Sequence, residues 1–566
     1  NGILTETNYY NDAAYAYGDT LYRRAVTEIS DGKTLRRTEQ LLDFRDLLMF
    51  EIHSDGEKQR ITSMEYDYAG NAVKMTAPGG AVVNMEYDSL GNKISETSGN
   101  ITVHYGYDLA GNLLYQTTYE YDGFGNTVKV TVPYVGKATA TQKTYYDNNG
   151  NVVKTVSAEG VTVETEYDSR NNPVKITAGS SVTVYEYDKE GRVRTQSQVA
   201  GDGRKITTSY TYDVFGNAVT STDNLGQTVY YTYDPAGNLI KTVDRNGTVL
   251  YNEYDGLSRV LRNYNTLDKS ETKYTYNGFG ELVRVDDGGI ITEYTYSGFG
   301  ELILEKSGGI SKEYAYDIDG NRTLFRLLNG GNEEMRTEYA YDELNRLKSV
   351  NTPIGEQVYY YDKADRVTGM LNDNTGEETV YTYYPSGAVK NIITKHNGKE
   401  TDRLYYEYDK DGNRTLELGS DAIKQYTYDE QGRLKKSITD LNFVTGYEYD
   451  DFNNISAART LYGGVMTSVY YEYDGNNRLI RTTDEYNVTT YDYDNNGNMI
   501  RSDGEETADY IFNGAGELTE VWQDNSVYSY EYDHTGLRTS KTVDSETTEM
   551  ITDGMYVAAE YTGTQS

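Results

Sequence analysis

A turn signature that recurs in phase along almost the whole chain limits what this chain can fold into. Its clearest copy is residues 230–247, YYTYDPAGNLIKTVDRNG. Tyr231 and Tyr233 run into Asp234-Pro235-Ala236-Gly237, and a second apolar run from Leu239 to Val243 ends at Asp244-Arg245-Asn246-Gly247. In each four-residue group the Asp can accept from amides ahead of it and the Gly takes positive φ, while Pro235 presets φ in the first group. This is the chemistry of a type I turn closed by a G1 bulge, the three-residue hairpin connection. The unit reads strand, turn, strand, turn, with almost nothing left over.

With the tyrosine before the turn as anchor, 23 anchors run from Tyr66 to Tyr532, with Phe512 the one substitution. The mean spacing, (532 − 66)/22, is about 21 residues, near the shortest repeat that builds a solenoid. The fourth residue after the anchor is Gly in 17 of the 23, and otherwise Asn171, Asn345, Asn453, Asn477, Asp365 or Ser258. Asn and Asp tolerate left-handed φ best among non-glycine residues, so backbone shape is what the position specifies; only Ser258 goes against it.

Anchor and anchor minus two point to the same side of a strand, and Tyr, Thr and Val dominate these runs. Hydrophobic residues make up only 37% and mean hydropathy is −0.74, so a Leu/Ile core is not available in quantity. The chain must close on tyrosine faces that tolerate partial hydration. Two strands per unit give about 46 strands, a ribbon roughly 220 Å wide at 4.8 Å spacing. Open sheets rarely exceed about ten strands before curling or splitting. A propeller would need four-stranded blades and a two-unit alternation, which the sequence lacks. The expected fold is therefore all-β, an antiparallel sheet wound as a spiral into a hollow shell or partial barrel.

Other features bound function. There is no Cys, which excludes disulfides, thiolate metal sites and a cysteine nucleophile. A formal charge of −36 repels nucleic acid and anionic lipid, and Arg36-Arg37 is the longest basic pair near the start. No apolar run is long enough to span a bilayer, and because the chain opens at Asn1-Gly2 rather than Met the question of a leader stays open. Tyr15-Ala16-Tyr17 reads as a degenerate repeat, and the apolar stretch from Gln40 to Ile52 suits either a short helix or a pair of strands, with strands favoured by the turn-like Asp55-Gly56. Insertions before Tyr146 (Val132 to Lys137), Tyr212, Tyr341, Tyr408 and Tyr473 should become loops on one face, and the short Tyr107–Tyr121 interval should abbreviate a strand or turn.

The forms EYDSLGN (86–92), YTYDPAGNLIKTVD (231–244) and YDYDNNGNMI (491–500) resemble the Rhs or YD-repeat proteins, a family that includes the shell of bacterial Tc toxin BC components and the teneurin barrel. The resemblance covers about residues 60–545 and implies a spiral of antiparallel strands around a hollow. Residues 530–542 and 557–561 are similar to the segment that leads into the Rhs-associated core, which in toxin members carries self-cleavage aspartates; the chain ends at Ser566 before any such core. The organisation this implies is a degenerate cap at 1–60, the repeat shell at 61–545, and a lead-in at 546–566. The resemblance also implies encapsulation of a C-terminal toxin or effector, a secreted or cell-surface location, and no catalytic role for the repeats.

No catalytic, cofactor or metal residue can be assigned from the sequence. His53, His104, His396 and His534 share no ligand spacing. Asp317-Ile318-Asp319-Gly320-Asn321 and Asp409-Lys410-Asp411-Gly412-Asn413 echo a calcium loop but lack its third oxygen residue before Gly and its later Glu, which favours turn capping. Trp522, the only tryptophan, is expected to pack against its strand neighbours. The tyrosine-rich surface supports a second function class, adhesion to a cell-surface glycan or protein.

Overall fold

The structure, a computed structural model, describes residues 4–6, 12–18, 20–30, 35–98, 101–104, 118–133, 139–362, 364–440, 442–524 and 526–564. Among them every regular element is a strand, 52 in all, from β1 (Leu4–Glu6) to β52 (Tyr556–Thr564), and no helix is long and apolar enough to cross a membrane. They form a 10-stranded sheet ending in β10 (Ile101–His104) and a 42-stranded sheet beginning with β11 (Thr118–Tyr121). From residue 35 onward each strand pairs antiparallel with its neighbours in sequence within its own sheet, β10 and β11 being unpaired with each other. The short Tyr107–Tyr121 interval and the insert after Val132 fall largely outside the described residues.

The turns follow the local chemistry. At 234–238, Gly237 N–H donates to the Asp234 carbonyl at 3.0 Å with φ of 87°. Asp234 Oδ1 accepts from Ala236 and Asn238 amides at 2.9 Å, and its Oδ2 accepts from the Asn238 side chain at 2.8 Å. Where the fifth residue after the anchor is Arg, as at Arg259, its Nε makes the same bond to Asp255 and its guanidinium lies 4.7 Å from the ring of the next anchor, Tyr276. All six non-glycine residues at the fourth position have positive φ, including Ser258 at 59°. The fixed turn around it overrides the preference of a serine, so this position is locally strained rather than rebuilt.

The apolar stretch near the start is a pair of strands, Leu35–Leu42 and Leu48–Ser54. Between them Asp43 caps Arg45 and Leu47, and Asp46 takes the left-handed position with φ of 66°. Leu42 thus holds an anchor position that a search for tyrosine passes over.

The anchor is tyrosine for a reason beyond strand propensity. Tyr233 Oη donates to the Ala218 carbonyl at 3.1 Å, the first strand residue after the previous anchor's turn. Twenty anchors repeat this bond, from Tyr66 to Tyr532. Each phenol satisfies a carbonyl freed beside the neighbouring bulge, and so ties one unit to the next.

The ribbon winds on itself. Between residues 36 and 268 its edge touches residues 240 to 279 further along the chain. From the turn after Leu239–Val243, which holds Asn246, to the turn after Val488–Tyr493, which holds Asn496, this spans 23 strands. At 4.8 Å per strand one round is about 110 Å in circumference and about 35 Å across. The lower round comprises about residues 35–276 and the upper about 277–524. The accessible surface is 32859 Å², against about 20,000 Å² for a compact monomer of this mass, as a single-layered wall requires. Among the described residues only Phe325, Leu41, Leu327 and Val285 are large side chains buried almost completely.

Candidate functional surfaces

Two edges and two faces define the wall. One edge carries the anchor turns; the opposite edge carries the return turns, such as 244–248. Where the rounds meet, upper anchor turns sit on lower return turns. Asn496 Oδ1 accepts from Arg245 N at 2.9 Å, and Asn246 and Asp494 side chains bond at 2.9 Å. Asn224 donates to the Gly475 carbonyl, and Gly201 N and Gly514 N donate to Asp451 and Asp268. The seam consists mostly of amide and carboxylate contacts.

Three arginines of the lower round reinforce it. Arg36 and Arg60 each lie 4.1 Å from a phenyl centroid, Phe279 and Phe299, and pair with Glu281 and Glu301 at 2.7 and 2.5 Å. Arg36 also donates to the Gly298 carbonyl. Arg204 stands 5.5 Å from Phe452.

The calcium-like sequences belong to this seam. Asp317 and Asp409 cap their own turns, but Asp319 accepts from Gly79 N at 2.6 Å, and Asp411 from Ser157 Oγ and Glu159 N. The second aspartate therefore binds the neighbouring round, a role that sequence spacing alone did not reveal. Among the described residues no group of three or more His, Asp or Glu is placed to hold a metal.

The two faces differ in chemistry. Tyr231 and Tyr233 are half-buried while Tyr230 and Thr232 are exposed. The face opposite the anchors carries a lattice of charge, including Lys74–Glu65, Lys129–Glu120 and Lys175–Glu166 at 2.5 to 2.7 Å, in which each glutamate precedes an anchor. The tyrosine face is mainly Tyr, Thr and Val. Most of the acidic excess of these strands is thus on the other side.

The last strands leave the edge-to-edge stack and lie against the tyrosine face. The His534 ring meets Tyr274 edge-on at 6.2 Å, and Asp553 pairs with Arg322 at 2.8 Å. A cavity of about 520 Å³ between them is lined by Tyr294, Glu305, Lys312, His534 and Thr552. Burial pushes the Tyr294 and Tyr314 phenols up from their ordinary value, with Glu305 adding to the effect. His53 contacts Thr38 and Glu51, and His396 is exposed at a strand end; the side chain of His104 lies outside the described residues. Trp522 departs from the expected packing: it is 52% exposed, with its indole N–H donated to Glu520, because the buried side of that strand is taken by Val521.

Residues 181–311 match the family described as Teneurin YD-shell. Among solved structures, a TcdB2-TccC3-TEV crystal structure matches over 95% of this chain at 11% identity and a TM-score of 0.52. A second, titled TcdB2-TccC3, covers 94% at 12% identity with a TM-score of 0.49. The chain spans 36% of the length of each. No curated protein matches it in sequence. The repeat, its winding and the first of these likenesses give the chain the fold of a wound YD-repeat shell, with the family match confined to residues 181–311.

Proposed function

We propose that this chain is a non-catalytic wall segment of a secreted or cell-surface shell that, in the whole protein, encloses a C-terminal toxin or effector. The observation that carries this reading is the course of the last strands, which quit the stack and turn onto the enclosed tyrosine face at Tyr274, Tyr294 and Arg322. In this reading residues 1–60 cap the array, 61–545 form its wall, and 546–566 lead inward. The tyrosine lining offers many weak, amphipathic contacts suited to a partly unfolded chain. A mainly uncharged lining gives no preference for a basic cargo, because the glutamates before the anchors face outward.

A flexible, protease-sensitive peptide fused after residue 566 tests the reading. The expected result is cleavage at least several-fold slower than that of the same peptide free in solution. Equal rates would overturn enclosure and leave adhesion by the outer face as the better account.

A further inference from the structure

One anchor turn departs from all the others in its first residue. Asp, Asn or Ser follows 22 of the 23 anchors, each with an oxygen that can accept from the amides ahead; Tyr383 is followed by Tyr384. The backbone closes as elsewhere, with Gly387 N donating to the Tyr384 carbonyl at 2.9 Å and Gly387 at φ of 89°. A phenol cannot cap its own turn in this way, so the hydrogen bonds that a carboxylate such as Asp234 makes are lost here.

What Tyr384 gains lies in the next hairpin. Tyr384 and Tyr406 are the two most buried tyrosines among the described residues, at 6% and 7% exposure. The Tyr384 ring meets Tyr408 edge-on at 6.2 Å, and Lys390 Nζ stands 5.5 Å from its centre. Its one hydroxyl hydrogen is shared between the Tyr406 carbonyl at 2.9 Å and Tyr405 Oη at 3.2 Å. Tyr405 Oη in turn donates to Glu407 Oε1 at 2.9 Å. Three residues before its anchor, Tyr405 lies on the outer face with Glu407, and a cavity of about 700 Å³ bordered by Asn391, Asp402 and Arg403 reaches it. A chain of hydrogen bonds thus runs from a buried phenol through a half-buried one to an exposed carboxylate. The Tyr384 bond, then burial and Glu407, push the Tyr405 phenol up from its ordinary value, so at neutral pH it parts with its proton only as it parts with an electron. Packing alone explains the first of these bonds: a buried tyrosine needs one partner for its hydroxyl, and the Tyr406 carbonyl supplies it. The second phenol and the carboxylate beyond it are the parts of an oxidisable pair.

We propose that Tyr384 and Tyr405 form a modification site, joined by a peroxidase-class oxidant through their ortho carbons into a covalent staple between neighbouring repeats. The oxidant takes an electron from Tyr405 while its proton passes to Glu407. The Tyr405 oxyl radical then takes the hydrogen atom from Tyr384 Oη, which moves the radical to the buried ring. A second oxidation of Tyr405 leaves two radicals side by side. One Cε–Cε bond forms, and the two Cε hydrogens return to the oxygens as the rings regain aromaticity. The two electrons and two protons removed reduce one hydrogen peroxide to two waters. The staple closes the loop from 384 to 405 and supplies covalently the tie that the missing cap does not.

Peroxidase and limiting hydrogen peroxide, applied to the dilute purified chain, test the proposal. Trypsin cuts after Lys390, Lys395, Lys399 and Arg403, so the two tyrosines fall in separate peptides unless they are joined. The monomer is expected to lose two hydrogens in mass and to give a joined pair of peptides carrying Tyr384 and Tyr405 ahead of any other tyrosine pair. It should also melt several degrees higher, because a cross-link narrows the unfolded ensemble. Tyr384→Phe and Tyr405→Phe, which keep the rings, should each abolish the joined pair. Glu407→Gln should lower its yield at least several-fold while the unoxidised variant melts with the parent. A joined pair that survives either phenylalanine, a yield indifferent to Glu407→Gln, first coupling at other tyrosines, or a cross-linked chain that melts no higher would each overturn the proposal.

Discussion

At Gly256, two residues past the anchor Tyr254, an added Cβ would meet nothing within 4 Å; at Gly514, the matching position past Phe512, it would run into the Asn265 side chain. The same contrast separates Gly123, which faces open space, from Gly298, which is packed on Asp55. Lower and upper anchor edges are thus made by one turn and distinguished only by what lies across from them. The lesson is that the repeat encodes a local shape, and that assembly is encoded at the few positions where the shape leaves a side chain free to choose.

The comparison can be broken at its glycines. Neither Gly256 nor Gly514 has positive φ, so Val differs between them only by space. Gly514→Val is expected to destabilise by about 1 to 3 kcal/mol through overpacking, and Gly256→Val by less than about 0.5 kcal/mol. Denaturant melts of the two variants measure the difference; equal loss would mean that the seam does not bear on stability.

A second test sharpens it at the arginines. Arg36→Met retains the apolar stem but removes the ring stacking on Phe279 and the ion pair with Glu281, which keeps only the Asn277 side chain. About 2 kcal/mol should be lost, of the order of a charged hydrogen bond plus a cation–π contact. Arg170→Met, on an exposed lower anchor turn, should lie within about 0.5 kcal/mol of the parent. If both variants melt alike, the arginine platform is not part of what joins the rounds.

Smaller still is the effect of a single anchor phenol. Tyr233→Phe keeps the ring and deletes one hydrogen bond to Ala218, at an expected cost of about 1 kcal/mol. Phe512 shows that the ring alone can hold the position. A neutral result at Tyr233 would return the tyrosine preference to strand packing.

The turn aspartates give the weakest effect per site but act together. In Asp234 the Asn238 side chain, then the Asn238 amide, hold the carboxyl below its ordinary value, and Asp67, Asp88 and Asp168 are lowered in the same way. A folded value below the unfolded one means the unfolded chain binds more protons, so stability rises with pH across that interval. The contribution is fully present above about pH 5 and is lost as pH falls below about 4. Melting temperature should decline over that window, and Asp234→Asn should flatten the decline slightly; an unchanged profile in a multiple Asp→Asn variant would contradict the role of these caps.

Much of the wall was legible in the residues. Positive φ at Asn171, Asn345 and Asp365, strands around every described tyrosine anchor, and winding of the ribbon all follow from turn chemistry and strand spacing. Leu42 was missed because its turn is right and its side chain is not tyrosine. The seam was hidden for a different reason: Arg36 and Phe279 carry no mark of each other, and only the closure of a whole round brings them together. Asp319 and Asp411 did stand out from the repeat, yet their spacing suggested a cation where the fold supplies backbone amides. The inward turn of the last strands depends on where stacking ends, which no local pattern specifies.

Small-angle scattering of the purified chain tests the central claim most directly. A thin-walled, wound ribbon about 35 Å across at its midline, set by about 23 strands per round, should give a pair-distance distribution shifted toward long distances and fit a hollow cylinder. A curve that fits a solid globule of the same mass, or a flexible string of separate bodies, would contradict it.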